Sequence, residues 1–252
     1  MAVKKPEPVK AAVNKWDDQL AAFATAAAEQ EAGGGGNVIS TRGGRLSFQG
    51  NDVPGNKMNV IVIDAVAENH LYTDRFDPDN PSSPVCFAFG DGESEMAPHE
   101  LSAKPQCATC ARCPHNQFGS ADIGKGKACK NIRRLGLITE DSLEDVAAAE
   151  VAELKIPVTS VKNWRTYVQQ ISNTLKRPPF AVVTEISIVP DAKTQFKINF
   201  KLVGQITDGE ALQALMDRKD VVRAGLARPY QPSTEPEPEP SAAKPASTKR
   251  KY

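Results

Sequence analysis

The stretch that decides the fold is residues 157–202, PVTSVKNWRTYVQQISNTLKRPPFAVVTEISIVPDAKTQFKINFKL. Its first part predicts a helix, because apolar residues recur there three and four positions apart. They are Val161, Trp164, Val168, Ile171 and Leu175. After Pro178 and Pro179 end this helix, a β-rich run at 180–189 and a turn at 190–193 lead into alternating apolar and polar residues up to Leu202. The second part therefore predicts a β-hairpin with one buried face and one basic face.

Strand patterns also precede this stretch, at residues 45–49, 58–66 and 84–89, and a last helix is predicted at 208–225. The predicted order is three strands, an insertion, one helix and two further strands. This order is found in a five-stranded OB-like barrel. We therefore expect a mainly β fold of the α+β class, built as such a barrel with flanking helices. Other small β-barrels with one helix have the same order.

The two ends of the chain differ from this central domain, which we place at residues 37–230. Residues 1–36 contain an Ala-rich segment with Trp16, Leu20 and Phe23 on one helical face, followed by four glycines. This predicted helix, residues 10–31, would either pack on its own domain or mediate oligomerisation. Residues 231–252 are rich in Pro, Glu, Ser and Lys, which predicts a disordered tail.

Four cysteines in the insertion predict a metal-binding knuckle at residues 104–134. Cys107, Cys110 and Cys113 are spaced by two residues each, and Cys129 follows. Such spacing folds thiolates toward one point and is typical of a closed, structural Zn²⁺ site.

Two alternatives concern this site. His115 could replace one sulfur, since mixed Cys and His ligand sets also bind zinc. An iron–sulfur cluster is the competing cofactor, because Pro114 directly follows Cys113, as in bacterial ferredoxin spacing. Cys86 lies in a strand pattern and is interpreted as a small buried apolar residue.

The knuckle is strongly basic although the net charge of the chain is zero. Between residues 104 and 134, seven Lys and Arg residues accompany the single acid Asp122, whereas residues 140–153 contain six acids and no base. Residues 116–128, which we call the basic loop, combine small residues with lysines, a composition suited to phosphate binding. The candidate phosphate contacts are Lys125, Lys127, Lys130, Arg133 and Arg134.

Three aromatic residues are candidates for stacking on nucleic-acid bases. Phe118 lies in the basic loop, and Tyr72 and Phe76 lie between predicted strands. The alternative is that Phe118 covers the metal site, with the lysines merely solvated, and that Tyr72 and Phe76 are buried.

No catalytic arrangement is recognisable, because the three histidines have no paired spacing and no nucleophile, base and orienting residue occur together. We therefore expect a non-enzyme. The sequence contains no run of about 20 apolar residues and no signal-peptide pattern, so a cytoplasmic protein without membrane contact is expected.

Residues 107–134, 157–164 and 178–184 resemble the single-stranded DNA-binding proteins of tailed bacteriophages, some of which have a zinc knuckle in an OB-type core. The resemblance extends over about residues 37–230. It implies a protein in the host cytoplasm that coats single-stranded DNA in replication, recombination or repair, together with replication or recombination proteins. It also adds Lys197 and Lys201 of the hairpin as phosphate contacts. One departure is the tail, where Lys244, Lys249, Arg250 and Lys251 follow the acids that such proteins use to recruit partners.

Two other functions remain open. A zinc-stabilised transcription or recombination accessory factor would prefer duplex DNA or a protein partner. A virion or scaffold protein would assemble through the helix at 10–31 and would have no affinity for nucleic acid.

Overall fold

A computed structural model describes residues 16, 19–20, 23, 37–73, 82–92 and 95–230. Nine strands form one sheet: β1 Val38–Ser40, β2 Ser47–Phe48, β3 Asn51–Asp52, β4 Lys57–Leu71, β5 Cys86–Gly90, β6 Lys130–Thr139, β7 Ala152–Ile156, β8 Val182–Asp191 and β9 Gln195–Gln205. Helix α1, Val158–Leu175, separates β7 from β8, and helices α2, Gly209–Asp217, and α3, Lys219–Leu226, follow β9.

Strand β4 organises the sheet, because at 15 residues it is long enough to pair with three other strands. One edge pairs with β6 along most of its length, from Val60 to His70. The other edge pairs with β8 over residues 57–60 and with β5 over residues 67–71. The order is β3-β2-β1-β7-β6-β4-β8-β9, with β5 beside β4 off this path, and among the strands of the described residues only the β1–β7 pair is parallel.

Both faces of the sheet are buried, each by different helices. On one face, Val60 and Val62 pack in a core with Val161, Trp164 and Ile171 of α1. On the opposite face, the intervening Ile61 and Ile63 pack with the residues Leu215 of α2 and Val222 of α3. Because side chains alternate along a strand, β4 serves both cores, and a β-bulge between Val62 and Asp64 shifts its register.

Several sequence predictions agree with this structure. Helix α1 and the β8–β9 hairpin are confirmed, and Ile198 is fully buried, with Phe196, Phe200 and Leu202 packed against the same core. The predicted helix at 208–225 is present as α2 and α3. A mixed α and β fold is thereby confirmed.

The predicted number of strands is wrong. The expected insertion contains β6 and β7, and β6 is a central strand of the sheet. Its sequence reads as neither alternating nor purely apolar, because Arg133 and Arg134 stand between Ile132 and the apolar residues that follow. A nine-stranded sheet with this order therefore does not establish a five-stranded OB-like barrel.

Some predictions lie outside the described residues. These are Phe76, the tail at 231–252 and most of the helix at 10–31. Of that helix, Trp16, Leu20 and Phe23 are helical and largely exposed. Among the helices of the described residues, none combines the length and apolar character that crossing a membrane requires.

Candidate metal centre and nucleic-acid interface

The cysteines lie where β4 ends between its two neighbours. Cys86 is the first residue of β5 and pairs with Leu71, the last residue of β4. On the other side of β4, Lys130 pairs with His70, so Cys129 directly precedes β6 at the same end. The sheet thereby holds one cysteine on each side of the end of β4.

The other three cysteines belong to the irregular segment that joins β5 to β6. Cys110 begins a 3₁₀ turn that ends at Arg112, and Cys113 precedes a second turn, Pro114–Asn116. The Cys110 amide donates to the Met96 carbonyl (2.7 Å), and the Cys129 amide donates to the His115 carbonyl (2.8 Å). These bonds fold the segment back toward the strand end.

All five cysteines and His115 line one small cavity, together with Asn69 and Asn116. Its volume is about 10 Å³, which is about the space that one water-sized atom requires. Cys86, Cys110 and Cys113 are buried, and Cys107 and Cys129 are partly exposed. The predicted ligands Cys107, Cys110, Cys113 and Cys129 are therefore brought together, and Cys86 joins them.

Two thiols of this cavity, Cys107 and Cys129, have a strongly raised pKa. Burial and the neighbouring thiols of Cys110, Cys113 and Cys86 raise the pKa of Cys129 to about 12. Burial and the adjacent Cys113 raise the pKa of Cys107 to about 12. Clustered thiolates repel each other in a site of low polarity, so a bound cation would be needed to keep them ionised.

A chain of buried amides supports the cavity. Asn116 donates to the Cys110 carbonyl (2.8 Å) and accepts from Asn131 (3.0 Å), whose amide nitrogen also donates to Asn69. Among the described residues, the Asn69 nitrogen has no hydrogen-bond partner, although Asn69 is only 1% exposed and lines the cavity. Burial raises the pKa of Cys110. Asn69 is thus placed to donate to a sulfur at the cavity.

The donor set fits a soft divalent cation such as Zn²⁺, for which thiolates are preferred ligands. Room for one atom fits a single ion better than an iron–sulfur cluster. Within the described residues, no three Cys, His, Asp or Glu side chains are already arranged as a metal site. The spacing of the cysteines did not identify Cys86 as a candidate ligand. The pairing of β5 with β4 brings Cys86 to the cavity.

The basic loop begins at the cavity, which Asn116 lines, and is closed by hydrogen bonds between its own residues. The Gly119 amide donates to the carbonyls of Lys125 (3.2 Å) and Gly126 (2.9 Å), and the Ala128 amide donates to the Ser120 hydroxyl (3.0 Å). Gly119 has a φ of 89°, a left-handed conformation that glycine adopts without strain. The loop presents two large apolar side chains to solvent, since Phe118 is 83% and Ile123 81% exposed. Phe118 therefore does not cover the metal site.

Lysines accompany the exposed Phe118 ring. The Lys127 ammonium lies 5.3 Å from the ring centroid and donates to Asn116 (3.2 Å) and Asn131 (3.0 Å). Lys125 and Lys130 are exposed. Arg133 is half-buried, and it donates to the Ile132 carbonyl (3.0 Å). The amide chain thus connects the cavity to the charged surface of the loop.

The remaining predicted contacts are spread more widely. Tyr72, at the end of β4, is 40% exposed, with its ring 5.4 Å from that of His70. On the hairpin, Lys201 is exposed, whereas Lys197 forms an ion pair with Asp191 at 2.6 Å. The pairing leaves Lys197 less available to a phosphate than Lys201.

Arg134 has a different position from the one expected, because it is buried and only 4% exposed. Its guanidinium bonds the Glu68 carboxylate and donates to the Leu226 carbonyl (3.0 Å). It also lies 4.7 Å from the centroid of the Phe89 ring. These contacts make Arg134 part of the interior, and we leave it out of the candidate surface.

Glu68 is the buried acid of this pair, on strand β4. Burial alone would raise its pKa, but hydrogen bonds with His70 and Arg134 outweigh that effect and lower it to about 2. The Tyr230 hydroxyl also donates to Glu68, and burial next to this carboxylate raises the pKa of Tyr230. The network connects the end of the described chain to the centre of the sheet.

Comparison with models of protein families, with curated proteins and with solved structures finds no match for this chain.

Proposed function

We propose that this protein binds single-stranded DNA through the basic loop and the cations beside it, as proteins that coat DNA in replication, recombination or repair do. The observation that carries the proposal is the Phe118 ring, which is 83% exposed beside the lysines of its own loop. What sets Phe118 apart from other exposed apolar residues is the cation beside it, since the Lys127 ammonium lies 5.3 Å from the ring centroid. Stacking on unpaired bases is a use that fits both the ring and its charged surroundings.

The distribution of charge supports a phosphate backbone as the second partner of this surface. Lys104, Arg112, Lys125 and Lys130 are all exposed on the segment from residue 104 to 130, where Asp122 is the single acid. A cluster of this kind attracts polyanions even when the net charge of the chain is zero. Exposed Tyr72, directly after β4, would extend this surface. Exposed Lys201 pairs with Glu185, which pairs with Asn59 near the start of β4, so it would make a separate contact.

A structural Zn²⁺ held by the thiolates of the cavity is part of the proposal. Such an ion supplies cross-links between loops and no catalytic water, because four sulfurs close its coordination shell. The cysteines would hold the segment that carries the basic loop against the end of β4. Asn116 and Asn131 would transmit this order to Lys127, whose ammonium donates to both of them.

The test is a titration of the full chain into fluorescent oligo-dT at several salt concentrations, followed by anisotropy. Phe118→Ala should raise Kd by about 5- to 150-fold, which corresponds to the roughly 1–3 kcal/mol of one stacked base. Val221→Ala is the matched control, because Val221 is similarly exposed, at 76%, but lies on α3. An equal effect of both variants, or no binding at low salt, contradicts the proposal.

A second pair of variants tests the phosphate contacts. Lys125→Glu should reduce the slope of log K against log salt by about 0.7 for each phosphate that the lysine neutralises. Lys162→Glu, on the exposed side of α1, makes the same charge change on another element and should leave the slope unchanged. Duplex competitor separates the alternatives, since preferential binding of duplex would favour an accessory factor over a coating protein.

A further inference from the structure

Five cysteines border a cavity that has room for one ion, so one of them is in excess of a four-thiolate site. We propose that the ligands are Cys86, Cys110, Cys113 and Cys129, and that Cys107 is a free thiol at the edge of the cavity. This assignment rests on the structural Zn²⁺ of the proposed function. It replaces Cys107, which the sequence spacing favoured, with a cysteine 21 positions earlier in the chain.

Burial separates the two candidates. Cys86 is 9% exposed, close to the 6% of Cys110 and of Cys113, whereas Cys107 belongs to the partly exposed class and has exposed neighbours at Ala108 and Thr109. A structural zinc is held most firmly where water is excluded from its ligands. Cys86 meets this condition better than Cys107. Cys129 is also partly exposed, and its place directly before β6, rather than burial, argues for it as a ligand.

The sheet also fixes Cys86 more rigidly. Cys86 pairs with Leu71 in the β4–β5 ladder, and Cys129 directly precedes β6 on the other side of β4. These two sulfurs would anchor the metal to the sheet, while Cys110 and Cys113 would bring in the 3₁₀ turn. Ligands taken from both the sheet and the irregular segment between β5 and β6 would cross-link the two. A structural metal site stabilises an irregular segment in this way.

Cys107 has a local partner that a metal ligand would not keep. Its sulfur lies 3.1 Å from the Thr109 carbonyl oxygen, within donating distance, so Cys107 has a partner in its own turn. The buried Asn69 amide, by contrast, lines the cavity, and its nitrogen has no hydrogen-bond partner among the described residues, so it is available to a ligand sulfur. An N–H donor at a sulfur is the supporting contact that a thiolate ligand needs.

The experiment measures zinc per chain by native mass spectrometry for the full-length protein and for two matched variants. Cys107→Ser should retain one zinc per chain, and Cys86→Ser should lose it. The reverse pattern would overturn the assignment. Oligo-dT binding is measured separately, so a chain that binds DNA without any metal would refute this inference and leave DNA binding intact.

Because Cys86→Ser could also disturb the sheet, a second measurement uses the unmodified sequence. The zinc-loaded protein is treated with iodoacetamide and the labelled cysteines are identified by peptide mapping over time. Cys107 should be alkylated first, with the other four protected until a chelator is added. Protection of Cys107 together with rapid labelling of Cys86 would contradict the assignment whatever the variants do.

Discussion

The two halves of strand β4 bury different kinds of side chain, apolar in the first half and partly polar in the second. In the first half, Val60, Ile61, Val62 and Ile63 are at most 1% exposed and pack into two aliphatic cores. In the second half, Glu68 and Asn69 are buried to the same degree, at 0% and 1%. Glu68 faces Arg134 and Tyr230, and Asn69 faces the cysteine cavity.

The difference shows where this fold depends on specific bonds. Apolar burial is non-directional and tolerates imprecise geometry, whereas a buried charge or amide is costly unless its partner is in place. The polar half of β4 is also the half beside the cavity and the basic loop. Four predictions test this contrast, in order of expected size.

Arg134→Met should have the largest effect, because it leaves the Glu68 carboxylate buried without its main partner. We expect a decrease of about 3–5 kcal/mol in the free energy of unfolding, measured with urea. Arg223→Met is the control, since the Arg223–Asp64 pair (2.8 Å) also involves β4 but is partly exposed. That variant should be destabilised by only about 0–1 kcal/mol, and equal decreases would show that the two pairs contribute alike.

Stability should also fall in acid through Glu68. Its pKa in the folded protein, about 2, lies below the ordinary 4.5, so its contribution is complete above pH 4.5 and is lost as the pH falls toward 2. The contribution amounts to about 3 kcal/mol, since one pKa unit corresponds to roughly 1.4 kcal/mol. Urea unfolding between pH 6 and about 2.5 should show this decrease, and Glu68→Gln should have a flatter profile. A wild-type profile no steeper than that of the variant would refute the role of Glu68.

Gly136→Ala tests the apolar contacts around β6. A Cβ atom at Gly136 would lie 2.3 Å from Val222 Cγ1, so α3 would have to move away from the sheet. Overpacking of this kind costs about 1–3 kcal/mol. Gly204→Ala on β9 is the control, because no atom of the described residues beyond its chain neighbours lies within 4 Å of its added Cβ. Thermal unfolding of both variants measures the difference, and equal melting temperatures would mean that α3 adjusts freely.

Tyr167→Phe should have the smallest effect. The Tyr167 hydroxyl and the Thr184 hydroxyl form a buried hydrogen bond of 2.6 Å beside the apolar half of β4. Removing it leaves Thr184 without this partner and should cost about 1 kcal/mol in urea unfolding. The double variant with Thr184→Val should recover most of that stability, and a further decrease would contradict the explanation.

Local patterns were sufficient for the parts of the fold that are local. The stripe from Val161 to Ile171 predicts α1, and alternation around Ile198 predicts the hairpin, because each pattern follows from the geometry of one element. The clustering of Cys107, Cys110 and Cys113 follows equally from their short spacing. The basic loop, with its lysines and Phe118, follows in the same way from the local composition of the sequence.

Contacts between distant segments could not be predicted in this way. Arg134 reads as one more cation of a basic segment, and its burial follows from the β4–β6 register, which brings it to Glu68, 66 positions away. Cys86 reads as a strand residue, and only the β4–β5 register brings it to the cavity.

The sequence by itself determined the helices, the hairpin, the cysteine cluster and the basic loop, because these depend on periodicity, composition and spacing over a few residues. Tertiary structure decided the nine-stranded sheet, the inclusion of Cys86 and the division of the cations into an exposed set and the buried Arg134. The physical reason is that strand register assigns each side chain to a face, and a shift of one residue reverses every assignment.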